Sequence, residues 1–204
     1  MQITEYLNPI PYLVIDDFLT KGEFAYTAEL CASLFYLSNY GKHGDVYEDN
    51  LLRRNEFYVE QNLETPEVAT LQAIIRSNVW SDYMRSVYRD ISYPLKMIEA
   101  TTKEGMLLGY YSDKGYYSLH KDTSFLTFQL FTHENKTFEG GDFLLTDAMQ
   151  KKDATVKARI EAKPNRAVIF PSCYYHGVDQ VKCKSHNVED MRISLQYFLT
   201  FKET

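Results

Sequence analysis

The reading of this chain turns on the stretch GYYSLHKDTSFLTFQLF, residues 115–131. Its second half, FLTFQLF, is an apolar strand in which Thr127, Gln129 and Phe131 alternate onto one face. Just ahead of it, His120 and Asp122 stand two residues apart, with Tyr117 preceding them. On an extended chain that spacing aims an imidazole and a carboxylate in the same direction. An exposed face or one His–Asp hydrogen bond would account for the pair, and so would a metal ion to which both point. The remainder of the chain decides between them.

At 204 residues the chain suffices for one sizeable core and reads as one domain over residues 1–204. Hydrophobic residues at 45% and charged residues at 25% are ordinary for a globular protein and argue against disorder. The 17 tyrosines and 12 phenylalanines favour β-sheet, and phenol groups also suit a polar pocket. A formal charge of −6 is a poor match for nucleic acid or an anionic membrane, so neither is expected as a partner. No apolar run approaches the roughly 20 residues of a bilayer span, and the N-terminus lacks the pattern of a signal peptide. Cys31, Cys173 and Cys183 are odd in number and widely spaced, which predicts reduced thiols and a cytoplasmic setting.

The first half alternates strand and helix. PYLVID, residues 11–16, is a short strand, and the helix after it opens on a capping box, Thr20 with Glu23. Phe24, Ala28, Cys31 and Phe35 then give one buried stripe. Residues 39–52 read as a loop, and RRNEFYVE, residues 53–60, as a strand. A second helix starts with Thr65 as N-cap and Pro66 at its first position, and runs with a break to about Asp90. The helical support occupies about 18–92. From Tyr93 onward the runs PLKMIEA, GMLLGYY, FLTFQLF, GDFLLTD, ATVKARIEA, AVIFP, GVDQV and MRISLQYFLTF all read as strands, punctuated by EGGD, KPNR and FPS. Many short strands after a pair of helices predict an α+β, mainly β architecture: a sandwich or open barrel over about 93–202 with helices packed on one sheet.

The later strands complete the opening pair. His176 follows the apolar strand in FPSCYYHGVDQV. Two imidazoles and one carboxylate form a facial triad that covers one face of an octahedral ion and leaves open positions, which suits non-haem Fe(II). Zinc usually takes a fourth protein ligand or one open position, and no fourth ligand stands out here. Arg192 and Ser194 share one face of a further strand, in MRISLQYF, and a planar guanidinium beside a hydroxyl suits a dicarboxylate.

HxD, a distal His and RxS in this order resemble the 2-oxoglutarate- and Fe(II)-dependent oxygenases, in particular their prolyl hydroxylase branch. PIPYLVIDDFLTKGEF, YYSDKGYYSLHKD, FEGGDFLL and NRAVIFPSCYYHGVDQV extend the resemblance over roughly residues 8–201. It implies a double-stranded β-helix (jelly-roll) core. It also implies Fe(II) held by His120, Asp122 and His176, and O2 and 2-oxoglutarate as co-substrates, the latter paired with Arg192 beside Ser194. One of Tyr110 and Tyr111 would bond the co-substrate, and Thr127 and Gln129 would line its pocket. The implied reaction is oxidative decarboxylation to succinate and CO2 coupled to hydroxylation. A proline in a protein or peptide is the implied substrate, admitted under a lid at 39–52. KCKSHNVED, residues 182–190, is longer and more polar than in compact prolyl hydroxylases and reads as a loop between two strands.

Other residues carry plainer readings. His43, His133 and His186 lie in polar stretches and are expected to be solvated, Cys173 to be a buried thiol, and Arg53 and Arg54 to line a solvated edge or touch substrate. The same iron chemistry on a small metabolite, a free amino acid or a nucleobase is the alternative, although a second arginine on the last strand, typical of nucleic-acid demethylases, is missing from RISLQYFLTFK. A non-catalytic barrel that binds a metal or ligand is the alternative of another class.

Overall fold

The computed structural model describes residues 1–37, 47–48, 51–52, 54–148 and 150–201. In chain order these form β1 (Gln2–Tyr6), β2 (Tyr12–Asp16), α1 (Lys21–Leu34), β3 (Tyr47–Glu48), β4 (Leu51–Leu52), β5 (Asn55–Tyr58), α2 (Pro66–Val79) and α3 (Asp82–Asp90). Then follow β6 (Lys103–Tyr111), β7 (Tyr117–His120), β8 (Leu126–Phe131), β9 (Glu139–Gly140), β10 (Phe143–Thr146), β11 (Val156–Ile160), β12 (Ala167–Pro171), β13 (His176–Val178), β14 (Val181–Lys182) and β15 (Arg192–Thr200). The strands build a seven-stranded sheet, β1-β2-β12-β8-β15-β6-β5, facing a four-stranded sheet, β11-β10-β13-β7. Every strand pairing is antiparallel. This is the expected double-stranded β-helix with helices on one sheet.

Period-2 alternation divides the large sheet between two cores. Leu126, Phe128 and Leu130 of β8 and Ile193, Leu195, Tyr197 and Leu199 of β15 pack toward the helices, joined by Leu34 of α1, Leu71 and Ile75 of α2 and Tyr88 of α3. Phe131, Val168, Phe170 and Tyr111 point the other way and meet Phe143, Leu145 and Val178 of the small sheet. A strand covered on both faces needs apolar residues in both phases, which is why FLTFQLF and AVIFP are nearly unbroken apolar runs. The polar residues Thr127 and Gln129 of β8 and Arg192, Ser194 and Gln196 of β15 all fall on the face turned to the small sheet, and all five are buried.

The helix signals hold. Thr20 and Glu23 form the capping box, the Glu23 N–H donating to Thr20 Oγ1 and the Thr20 N–H to Glu23 Oε2. Ser81 caps α3 by accepting from the Met84 N–H, and so breaks the second helix where the chain turns. In the KPNR turn Asn165 has a φ of 59°, and its side chain accepts from the Leu19 N–H and donates to the Leu19 carbonyl. That amide ties the start of α1 to the turn before β12.

Several expectations are corrected. PLKMIEA is a 3-10 helix, Leu95–Ala100, because its buried residues Leu95 and Ile98 recur at a spacing of three, which matches that helix's turn. RRNEFYVE contributes only Asn55–Tyr58 as strand before a 3-10 turn begins at Val59. GVDQV is divided between β13 and β14, with Asp179 and Gln180 turning the chain. The strand carrying the HxD motif ends at His120, so Asp122 lies just beyond it. Cys173 is exposed, since it occupies the turn by which the chain crosses from β12 to β13. His133 is buried rather than solvated: it directly follows β8, lies edge-on against Phe138 and faces the carbonyls of Ile193 and Ala162. Within 39–52, Tyr47–Glu48 pairs with Leu51–Leu52. The rest of that segment, with His43, and Arg53 lie outside the described residues.

Candidate metal centre

His120 and His176 are direct cross-strand partners of the small sheet, at the end of β7 and the start of β13. Antiparallel pairing therefore does what sequence distance conceals and sets the two rings side by side, centroids 4.3 Å apart. Asp122, past the end of β7, turns back between them, with Oδ1 3.4 Å from His120 Nε2 and Oδ2 3.3 Å from His176 Nε2. One potential ligand atom from each residue lies within 4.8 Å of the other two. Among the described residues this is the one such cluster.

The surroundings orient all three. His120 Nδ1 donates to the Ser118 carbonyl and His176 Nδ1 to the Tyr174 carbonyl, each at 3.0 Å. A carbonyl can only accept, so Nδ1 carries a proton in both rings; Nε2 donates to Asp122 when it is protonated and is the atom a metal ion would take on losing that proton. The rings of Phe170 and Phe143 pack on His176 at 4.7 and 5.7 Å. Burial alone would raise the Asp122 pKa. Hydrogen bonds with His120, His176 and Thr127 outweigh it and hold the carboxyl well below the usual carboxylate range. Burial pushes the His120 imidazole the other way, toward its neutral, ligating form.

These residues line a pocket of about 250 Å³ that continues over Thr127, Gln129 and Gln196 to Tyr111. Arg192 lies at that end of the sheet, 0% exposed. Its Nε donates to the Gly141 carbonyl at 2.6 Å and its Nη1 to Ser194 Oγ at 3.0 Å, and its guanidinium carbon lies 4.7 Å from the centre of the Tyr111 ring. Nη2 has no partner. Burial draws the Arg192 pKa down to about 10, which leaves the group cationic at neutral pH. A buried guanidinium with an unanswered donor demands an anion, and a carboxylate fits the fork. Gln129 Nε2 and Gln196 Oε1, on directly paired residues, are also without partners among the described residues. The donor set thus fits a facially bound Fe(II), with a dicarboxylate reaching from it to Arg192.

The Arg192 cradle explains the double glycine. Gly140 and Gly141 have φ of 68° and 70°, and a Cβ on Gly141 would lie 2.9 Å from Arg192 Cδ. A larger groove of about 630 Å³ runs beside α2, but its walls are paired with each other, Arg76 to Glu104 at 2.6 Å among them. It contains none of the metal-ligand cluster, so the chemistry belongs to the smaller pocket.

The structure separates the two tyrosines left open by the sequence. Tyr111 faces the pocket, whereas the Tyr110 hydroxyl donates to the Cys31 carbonyl of α1 on the opposite face. Thr127 touches a candidate metal ligand, its hydroxyl donating to Asp122 Oδ2 at 2.7 Å. Gln196 was missed as a site residue, and Arg54, expected at a solvated edge or against substrate, is buried in the pocket wall. Gln196 had a signal, the continuation of the Arg192, Ser194 alternation by one more step; for Arg54 the signal was its place at a strand start beside the 39–52 loop. Arg54 is 9% exposed, pairs with Glu56, approaches the Tyr111 hydroxyl at 3.4 Å and lies 3.7 Å over the Tyr117 ring.

Residues 106–200 match the family model described as the 2OG-Fe(II) oxygenase superfamily. No curated protein matches the chain in sequence. Among solved structures it is similar to a Pseudomonas putida prolyl-4-hydroxylase, with a TM-score of 0.65 and 14% identity over 96% of this chain and 95% of that one. It is similar to the viral collagen prolyl hydroxylase of Paramecium Bursaria Chlorella virus-1, with a TM-score of 0.51 and 14% identity over 94% and 96% of the two chains. It is likewise similar to the Arabidopsis thaliana dioxygenase for auxin oxidation 1, with a TM-score of 0.55 and 14% identity over 94% and 84%. At such identities the likeness is one of fold. No helix among the described residues is long and apolar enough to cross a membrane.

Proposed function

We propose, from the match of residues 106–200 to the model of the 2OG-Fe(II) oxygenase superfamily, whose chemistry uses Fe(II), 2-oxoglutarate and O2, that this enzyme hydroxylates a prolyl residue in a protein or peptide. The observation that carries the oxygenase chemistry is the placement of two complementary halves in one pocket region. The His120–Asp122–His176 cluster stands at one end and the unpartnered Arg192 Nη2 at the other.

His120, Asp122 and His176 would hold the metal by one face, leaving the pocket side open to the co-substrates. Arg192, steadied by Ser194 and Gly141, would take the distal carboxylate of 2-oxoglutarate, with Tyr111 packed against its guanidinium. Gln129 would present its free amide N–H to the co-substrate between these ends. Bound iron supplies the oxidising chemistry that converts 2-oxoglutarate to succinate and CO2 and hydroxylates a substrate C–H. The protein's part is to fix these groups and keep water from them. The prolyl substrate is supported by the names of two structures that share this fold, and by the aromatic lining of Tyr117, Phe143 and Phe198, which suits an apolar ring.

The test is turnover of a proline-containing peptide library with Fe(II) and 2-oxoglutarate, following succinate and the gain of one oxygen atom by mass. Hydroxyproline formed by the wild type and not by Asp122→Ala is the expected result. Turnover confined to a free amino acid, metabolite or nucleobase would remove the prolyl reading and leave the iron chemistry standing.

A further inference from the structure

Register across the large sheet places Arg54 one residue before β5, beside the β6 residue Tyr111, whose other neighbour is Arg192 of β15. Tyr111 is therefore flanked by two guanidinium groups. Arg192 lies over its ring at 4.7 Å, and Arg54 Nη1 donates to its hydroxyl at 3.4 Å. The other side of Arg54 covers the Tyr117 ring at 3.7 Å, and Tyr117 in turn meets the His120 ring edge-on at 4.2 Å. Arg192, Tyr111, Arg54, Tyr117 and His120 thus form one continuous wall from the carboxylate anchor to a candidate metal ligand.

Arg54 is the central member of that wall. Glu56 of β5 pairs with it, and the Tyr58 hydroxyl donates to Glu56 Oε2 at 3.0 Å. With its charge matched by Glu56, Arg54 does not need a ligand anion of its own, unlike Arg192. What it offers instead is a rigid, planar, permanently charged plate that one tyrosine stacks on and another bonds to. A lysine would keep the charge but neither cover the Tyr117 ring as a plane nor span both contacts.

We infer that Arg54 is a positioning residue that acts on the co-substrate through Tyr111. By fixing the Tyr111 hydroxyl and the Tyr117 ring it sets the distance between the Arg192 anchor and the metal centre. This role rests on the 2-oxoglutarate reading of the pocket.

The test is a double-mutant cycle on binding, read by calorimetry with Mn(II) in place of iron so that no turnover occurs. Arg54→Lys should weaken 2-oxoglutarate binding about tenfold, the scale of one lost hydrogen bond to a charged group, while Mn(II) affinity and the thermal midpoint stay near wild type. In a Tyr111→Phe background the same substitution should add less than about twofold, because coupled residues do not add. Equal 2-oxoglutarate binding by Arg54→Lys and wild type overturns the role. An undiminished effect in the Tyr111→Phe background, or an equal loss of Mn(II) affinity, overturns it as well. Wild-type protein that binds no 2-oxoglutarate would instead remove the oxygenase reading, and this role with it.

Discussion

The Thr127 hydroxyl donates to Asp122 Oδ2 at 2.7 Å, and that bond sets the direction of a chain of hydroxyls behind it. Thr127 has one proton and an ionised Asp122 can only accept. Thr127 therefore accepts from Ser172 Oγ at 2.9 Å, and Ser172 from Ser124 Oγ at 2.8 Å. The carboxylate that would complete the metal site is thus aimed by a residue of the opposite sheet. Thr127→Val keeps the shape and removes the donor. Metal affinity, measured by Mn(II) titration, should fall roughly 10- to 100-fold, while Thr127→Ser stays within a few-fold of wild type. Unchanged affinity in Thr127→Val would leave the hydroxyl chain a packing feature only.

Arg192 is placed by two hydrogen bonds that a lysine cannot reproduce together, to Gly141 and to Ser194. Arg192→Lys should raise the 2-oxoglutarate dissociation constant by roughly 30-fold, or about 2 kcal/mol. Mn(II) affinity should be little altered, since His120 and His176 are on the other sheet and Asp122 follows directly from it. Equal losses of both ligands in calorimetry would argue for global damage instead of a lost anchor.

Gly141 and Gly22 make a matched pair of substitutions. Gly141→Ala demands both a left-handed φ and space that Arg192 Cδ occupies, whereas Gly22 is an exposed helical residue with nothing within 4 Å of a new Cβ. Gly141→Ala should lower stability by about 1–3 kcal/mol and weaken 2-oxoglutarate binding by displacing Arg192. Gly22→Ala should raise stability by about 0.5–1 kcal/mol without touching binding. Denaturant unfolding and calorimetry on both variants check this.

His133 gives the protein an acid-sensitive element. Burial is the main influence on its imidazole; the Ile193 and Ala162 carbonyls favour the cation, but burial, with Arg192 nearby, prevails and draws the pKa down to about 4. In the unfolded chain the ordinary value is about 6.5, so the folded state excludes a proton between these two values. The stability contributed by the neutral ring is complete above about pH 6.5 and is lost as the pH falls toward 4, by up to about 3 kcal/mol. The stability difference between wild type and His133→Gln, from denaturant unfolding, should shrink on going from about pH 7.5 to about pH 4.5. A difference constant over that interval would assign the acid loss to other groups.

Local physics made much of this protein readable in one dimension. The capping box of Thr20 and Glu23, the existence of a break in the second helix, and the two-residue alternation that gathers Thr127, Gln129, Arg192 and Ser194 onto pocket-facing sides all follow from neighbours a few positions apart. The order of HxD, distal His and RxS was visible for the same reason. Tertiary structure decided the rest, because cross-strand register and the covering of each sheet face are long-range facts. Register made His120 and His176 neighbours, and placed Tyr111, not Tyr110, between Arg192 and Arg54. Helices over one face of the large sheet assigned Tyr110 to α1, while the end of β8 buried His133 in what reads as a polar stretch. The crossing between sheets exposed Cys173, and a strand that ends at His120 let Asp122 turn in between two imidazoles. Alternation says which residues share a face; only the packed sheets say what that face meets.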